Sequence, residues 1–513
     1  MSWADGYVAD AEYTSHYFAE LAPPHLDMAA LSAGVLPPER EGGRFRYCEL
    51  GCGNGMSTNL LAACFPNAEF VGIDFMPVHI ANSRRLAKKA GLRNVQFHEW
   101  SFADACNQSL GQFDYIVAHG VYSWISPENR MEVVEFYRRF LAPGGLIYLS
   151  YNAFPGWLSI APVQKIVNEV ARTLKGPSPQ RARASFDSAK QLVDKGAAVF
   201  QLYPAAKQQM EKAPTQAANY LAQEYLNESW NPLYVTDVMR ELAPAKLEYV
   251  ASATLAENDL RYLMNEDLAA TIREQPTEEL RQLFKDMAIN ARFRRDIYTR
   301  GGRRLSGMDQ RQLLSERIVA LTKSPEAMVY TVEYMGRKLS FDSPMSRAIV
   351  AALSDGPNTI AELTRVVDAP DRLRAAIESA MVLCISNQAM FVDRKQNIPA
   401  EMNKTLAAAA LEDTSCNAVA TQAGTGLLVS PLELAMLGTP ASFGSVQAGV
   451  DFLVDLAARK GRVFTNRDGQ RVQPGPELEA FLANEVANTI NLRGPIFRHF
   501  GLLPQTKTNK GAR

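Results

Sequence analysis

The stretch YCELGCGNGMS (47–57) places glycines at 51, 53 and 55 directly behind an apolar run, with Glu49 two residues ahead of the first. Glycines this dense after a strand let backbone approach a ligand without Cβ contacts. A dinucleotide turn, G-x-G-x-x-G, would need a glycine at position 56, where the chain has Met56. The surrounding pattern restricts the fold further. FRYCEL (45–50), AEFVGID (68–74), NVQFHEW (94–100), FDYIVAHG (113–120) and LIYLSYN (146–152) read as strands. Helical patterns lie between most of them, at 56–65, 77–92 and 127–141. Pro77 opens the second and Gly91 stops it; Pro143-Gly144-Gly145 closes the third. Strands alternating with helices demand a parallel sheet with helices on its faces.

A chain of 513 residues exceeds one core, and its patterning divides it into six parts. An amino-terminal arm (1–40) precedes the ligand-binding core (41–157), and a helical insertion follows (158–245). Residues 246–305 return strand character at 246–255 and 291–301, as strands six and seven of the same sheet. A linker and winged-helix-like segment (306–395) leads into a mostly helical carboxy-terminal domain (396–513), whose last residues, 505–513, should fray. The expected fold is α/β, a Rossmann-like seven-stranded sheet carrying that insertion and those two further segments.

A formal net charge of −1 gives no global attraction to nucleic acid or anionic membrane. The cysteines (48, 52, 64, 106, 384, 416) are dispersed without metal-ligand spacing, so no metal and reduced thiols are expected. No apolar run approaches the ~20 residues of a membrane span, and the first residues lack a signal-peptide pattern. A cytoplasmic location without membrane insertion is the expectation.

The E-x-G-x-G-x-G spacing resembles motif I of the class I S-adenosylmethionine (AdoMet) methyltransferases. That resemblance assigns roles along the strand ends. Gly51, Gly53 and Gly55 form the cofactor turn, and Glu49 faces the ammonium of the methionine part. Asp74 accepts from the ribose hydroxyls, and Phe75 and Met76 cover one adenine face. Ser101 and Phe102 lie near the adenine edge, with Asp104 as the alternative contact to its amino group. His119 and Gly120 lie next to the methyl group, with Tyr122 and Trp124 beyond. Plainer readings stand beside these: Asp74 as a helix N-terminal acid, His119 as a structural histidine, Tyr122 and Trp124 as core aromatics. The arginines of RFRRDIYTRGGRR (292–304) read as an ion-paired or solvated face, with Asp296 among them.

LGCGNG, FVGIDFMPVHI, HGVYSWISPENR, LAPGGLIYLSYNAFPGW and YLAQEYLNESWNPLYVTDV are similar to a bacterial group that joins a class I domain to a methyltransferase regulatory domain. The group includes lysine methyltransferases of outer-membrane proteins, and the resemblance runs from about residue 7 to 305. In that family the amino-terminal arm closes over the cofactor, which points here to Tyr13 and Tyr17, four apart on one helix face. The implied activity is AdoMet-dependent methyl transfer to a protein lysine, leaving S-adenosylhomocysteine (AdoHcy). Tyr13, Tyr17, Tyr122, Trp124 and Tyr151 would line the amine slot, and no carboxylate base is evident after strand four. A small-molecule O-, N- or C-methyltransferase stays open, although AHGVYSW lacks the (D/N)-P-P-(Y/F) tetrad. A non-catalytic AdoMet sensor that binds DNA is the third reading. Its candidate helix (369–381) sets only Arg372 and Arg374 against Asp371 and Glu378, thin for a phosphate surface. A protein acceptor and a homodimer are the partners left to consider; nucleic acid is not expected.

Overall fold

The computed structural model describes residues 6–11, 16–398, 400–410, 416–461, 463–465 and 470–504. Its centre is one sheet of seven strands: β1 (Arg46–Leu50), β2 (Glu69–Asp74), β3 (Val95–Glu99), β4 (Phe113–Ala118), β5 (Leu141–Asn152), β6 (Glu248–Ser252) and β7 (Phe293–Thr299). The order is β3-β2-β1-β4-β5-β7-β6, and β7 alone runs antiparallel to its neighbours. Strand order reverses between β1 and β4, so the connections leaving them diverge and open a crevice at their carboxyl ends. The strands stand where the sequence places them. β5 starts earlier, because Leu141 already pairs with Phe113, and Pro143-Gly144-Gly145 becomes an irregularity inside the strand.

Helices α1 (Pro23–Ser32), α2 (Met56–Cys64), α3 (Pro77–Lys89), α4 (Phe102–Cys106) and α5 (Pro127–Phe140) cover the sheet. In α3 the buried residues His79, Ile80, Ser83 and Ala87 recur at helical spacing and so form one face. Lys88 and Lys89 occupy its last turn, where the helix dipole favours cations. The helix stops short of residue 92 because Gly91 turns left-handed, at φ +69°.

The insertion contains α6 (Ala161–Thr173), α7 (Ser178–Asp194), α8 (Ala198–Leu202), α9 (Pro204–Lys212) and α10 (Ala218–Tyr225), packed on a core of their own around Val163, Phe186, Met210 and Tyr225. The chain re-enters the sheet's core through α11 (Val235–Leu242). Between β6 and β7 lie α12 (Leu260–Leu263), α13 (Glu266–Arg273) and α14 (Glu278–Ile289).

Two expectations need correction. Residues 1–40 are not a lid along their whole length: Leu26, Met28 and Leu31 of α1 are fully buried, and Arg40 forms ion pairs with Asp27 and Asp393. Only the part before α1 lies near the crevice. The segment 306–395 contains the expected helices (Pro344–Leu353, Ile360–Leu363, Arg372–Ile385) and the strand Ala389–Val392, but also four unforeseen strands, Ile318–Leu321, Thr331–Tyr334, Arg337–Ser340 and Asn358–Thr359. Ile318–Leu321 sits between Asn358–Thr359 and Ala389–Val392 in a small antiparallel sheet. Beyond it the chain is mostly helical, apart from a hairpin, Ala418–Ala420 with Gly426–Leu428, that packs on α2. Residues 505–513 lie outside the described residues. Among the described residues no helix is long and apolar enough to cross a membrane.

The arginine-rich strand β7 is ion-paired, and one of its pairs is deeply buried. Arg294 is 1% exposed; its guanidinium donates to Asp296 at 2.9 and 3.0 Å, to Gln282 at 3.0 Å, and to Asp286 of α14. Removing one partner of a buried pair leaves the other charge uncompensated, at a cost of about 3–5 kcal/mol. Arg294→Ala should therefore lower the urea midpoint of unfolding by an amount corresponding to that loss. An unchanged midpoint would show that the cluster does not hold β7 against α14.

Candidate active site

The three glycines of the first turn all adopt left-handed backbone, at φ +67°, +53° and +67° for Gly51, Gly53 and Gly55. Their surroundings divide the work. A Cβ on Gly51 would lie 2.4 Å from Val121, and one on Gly55 would lie 2.5 Å from the Ser83 hydroxyl, so these two let elements pack. A Cβ on Gly53 would meet nothing within 4 Å. That open space is the cradle the turn offers to a ligand.

Asp74 closes β2 and locks the cradle. Its Oδ2 accepts from the Gly53 N–H at 2.9 Å, its Oδ1 from the Met76 N–H at 2.9 Å, and His79 Nδ1 stands 3.3 Å from Oδ1. A carboxylate offers about four acceptor positions, so Oδ2, which holds one N–H, retains capacity toward the cavity that Asp74 lines. Phe75 and Phe102 line the same cavity from the ends of β2 and β3. His119, Gly120 and Trp124 enter it from the end of β4.

His119 keeps an uncharged ring. Its Nδ1 is 2.8 Å from the Tyr148 hydroxyl, and the Phe18 ring lies 3.8 Å away, centroid to centroid. Desolvation between these groups lowers its pKa to about 4, so the ring is neutral at physiological pH. Glu49 lies behind the turn, buried, and accepts from the Thr58 hydroxyl; burial raises its carboxyl to about 7.

The cavity roof comes from segments distant in sequence. Gln223 Nε2 of α10 donates to the carbonyls of Val8 and Ala11 at 3.0 and 2.8 Å, and the Val8 N–H donates to Asn227 Oδ1 at 2.8 Å. These bonds hold the arm so that Tyr7 meets Phe75 edge-on, with ring centroids 5.6 Å apart. Tyr7, Gln223, Glu224 and Asn227 all line the cavity, together with His79. The sequence signal for them was available in QEYLN (223–227), three polar residues at and just past the end of α10.

Several expected site residues lie elsewhere. Tyr13 falls outside the described residues. Tyr17 is on extended chain rather than a helix. It is 2% exposed, and its hydroxyl accepts from the Gly426 N–H and bonds Thr425 Oγ1, both at 3.0 Å, on the carboxy-terminal hairpin. Tyr122 turns into the core and donates to Glu241 at 2.7 Å, next to Arg130. Tyr151 faces the β7 charge cluster and donates to Asp296 at 2.7 Å. Each of these tyrosines satisfies its hydroxyl on a partner that only the tertiary fold supplies. Met76 is buried, and its N–H is spent on Asp74. Ser101 and Asp104 bond each other in a capping box at the start of α4, at 2.7 and 3.1 Å, and neither lines the cavity. The aromatic lining is therefore Tyr7, Phe75, Phe102 and Trp124.

A roomier cavity of about 400 Å³ lies beyond β6, beside Tyr249 and Lys285. No residue of the glycine turn or the parallel strand ends reaches it. Size alone does not mark the site. Among the described residues no group of histidine, cysteine and acidic side chains could hold a metal ion.

The chain is similar to known proteins along its length. A family model described as "Methyltransferase domain" matches residues 48–147, and one described as "Predicted methyltransferase regulatory domain" matches residues 217–300. The first spans the glycine turn, Asp74 and the end of β4; the second begins at α10. An uncharacterized protein of Synechocystis sp. (strain PCC 6803) is 31% identical over 514 residues, covering 98% of this chain and 100% of that one. Trans-aconitate 2-methyltransferase of Methylobacterium radiotolerans is 35% identical over 100 residues, 19% of this chain and 35% of that one. PKMT2 from Rickettsia typhi, in complex with AdoHcy, has the same fold, with a TM-score of 0.70 at 17% identity, over 96% of this chain and 99% of that one. AdoMet is the cofactor. The chain belongs to the class I AdoMet-dependent methyltransferases that carry a methyltransferase regulatory domain.

Proposed function

We propose that this enzyme transfers the methyl group of AdoMet to an amine, and that the acceptor is a protein lysine side chain. One observation carries the reading: the cavity is lined by aromatic rings and two acids, Asp74 and Glu224, and no lysine or arginine lines it among the described residues. Such a lining suits cations, through ring faces and carboxylates. An anionic acceptor would need a cationic partner there. The small-molecule alternative is thereby weakened for carboxylate substrates such as the one named for the trans-aconitate enzyme. The whole-length likeness to PKMT2, a lysine methyltransferase, supports the same acceptor class.

AdoMet supplies an electrophilic methyl group on a sulfonium. The chain's part is to bind, orient and exclude water, since an in-line displacement gains much of its rate from positioning. In this reading the Gly53 cradle and the free capacity of Asp74 hold the ribose, while Glu49, behind the turn and bonded to Thr58, does not reach the cavity. Phe75 and Phe102 flank the adenine. Trp124 and Tyr7 form the apolar slot for the acceptor. A free lysine has a pKa near ~10.4, and an apolar slot disfavours its charged form. The arm segment that carries Tyr7 acts as the lid.

Incubation of the purified enzyme with labelled AdoMet and a cell lysate tests the acceptor class. Label should enter protein and should be lost when lysine amines are acetylated beforehand. Label confined to small molecules would reject the reading. Asp74→Ala should weaken AdoMet binding by roughly 1.5–3 kcal/mol in calorimetry, the worth of one or two charge-assisted hydrogen bonds. Wild-type affinity in that variant would remove the ribose assignment. Gln223→Ala breaks two bonds to the arm, each worth about 0.5–1.5 kcal/mol. It should expose residues 6–11 to proteolysis and slow turnover, and an arm as protected as in the wild type would contradict the lid. His119 is already neutral above its pKa of about 4. The rate should therefore rise between about pH 7 and 9 as the amine loses its proton, without a break near the ordinary histidine value. A break near pH 6.5 that persists in a Glu224→Gln variant would mean that His119 titrates during turnover.

A further inference from the structure

Among the side chains around the cavity, Glu224 serves neither the fold nor the cofactor bed. Its neighbours, Gln223 on α10 and Asn227 just past it, are committed to the arm through the bonds described above. Asp74, the other acid of the lining, is committed to the glycine turn. Among the described residues Glu224 receives no hydrogen bond, and the one charge there that steadies its carboxylate is that of Arg292. The Arg292 guanidinium itself stacks over the Trp157 ring at 4.2 Å.

Glu224 shares the cavity wall with Asp74 and Phe75 as well as with His119, Gly120 and Trp124, which follow β4. One observation sets it toward the methyl end: its electrostatic neighbour Arg292 directly precedes Phe293, whose ring lies 6.0 Å from that of His119. Around it stand Arg292 ahead of β7, Tyr225 on its own helix, and His119 and Asp74 across the cavity.

We propose that Glu224 is a catalytic residue: its carboxylate docks the acceptor's ammonium beside the reacting methyl group and removes one of its protons. The inference rests on the amine reading given above. The ammonium gives a proton to the Glu224 carboxylate, leaving a neutral amine and a carboxylic acid. The amine lone pair then forms the new N–C bond while the methyl C–S bond breaks. The positive charge passes from sulfur to nitrogen, AdoHcy leaves as a neutral thioether, and Glu224 returns its proton to water. Burial already raises the Glu224 carboxyl to about 7, which suits a group that must take up and release a proton near neutrality. The base thus comes from the insertion and not from the segment after strand four, where the sequence offers none.

Full-length Glu224→Gln and Glu224→Asp variants test this, with lysate protein and labelled AdoMet as probes. Calorimetry should show AdoMet affinity within about twofold of wild type in both, because Glu224 does not bind the cofactor. The rate of lysine labelling should fall about a hundredfold or more in Glu224→Gln, the usual contribution of a positioned acid or base. Glu224→Asp should recover part of it. An unchanged rate in Glu224→Gln would overturn the proposal while leaving the lysine reading intact. A tenfold loss of AdoMet affinity would also overturn it, making Glu224 a cofactor ligand. Wild-type label found on oxygen or carbon instead of lysine nitrogen would defeat the amine reading itself, and the role of Glu224 with it.

Discussion

The carboxylate of Asp74 joins the ends of β1 and β2 into one rigid corner. By accepting from the Gly53 and Met76 N–H groups, it fixes a left-handed turn and the entry to α3 at once. Without those bonds the turn would hold buried donors unpaired, a loss of about 1–3 kcal/mol for each. Everything at the crevice is built against this corner. Val121 packs where Gly51 lacks a Cβ, and that contact sets how closely the end of β4 approaches the end of β1. His119 and Trp124 follow from the same close approach.

The sequence shows this corner because the turn's residue types obey local backbone requirements. Three positive φ values call for three glycines, and a strand-end carboxylate answers the exposed N–H groups. The aromatic residues obey no such rule. Tyr17, Tyr122 and Tyr151 have the composition of a cation-binding slot and the burial of a core, and only their hydroxyl partners tell the two apart. Those partners lie 408, 119 and 145 residues away. Ser101 shows a different failure. The pattern S-x-x-D is a readable capping signal, and it competes directly with the cofactor role that the strand order suggests.

The roof of the cavity was the least legible part, since it is assembled from two remote segments. Residues 6–11 of the arm have no regular structure to support them and depend on two amide side chains, Gln223 of α10 and Asn227 just past it, more than two hundred residues downstream. The insertion is therefore more than an ornament on the sheet. Its own core fixes α10, α10 fixes the arm, and the arm places Tyr7 over the strand ends. Both acids of the cavity also fit this division of labour. Asp74 comes from the sheet and Glu224 from the insertion, so each half contributes an acid to one space.

The latch between Tyr17 and the carboxy-terminal hairpin bears on when the molecule becomes competent during its synthesis. Phe18, which walls off His119, is held by a neighbour whose partners are Thr425 and Gly426. Domains fold as they leave the ribosome, amino-terminal parts first. The glycine turn, Asp74 and the sheet all emerge long before residue 426. A nascent chain can therefore form the cofactor corner while the wall behind His119 is still loose. The site is finished by a stretch 408 residues beyond Tyr17, so a chain not yet extended that far holds the bed for AdoMet without the firm wall behind His119.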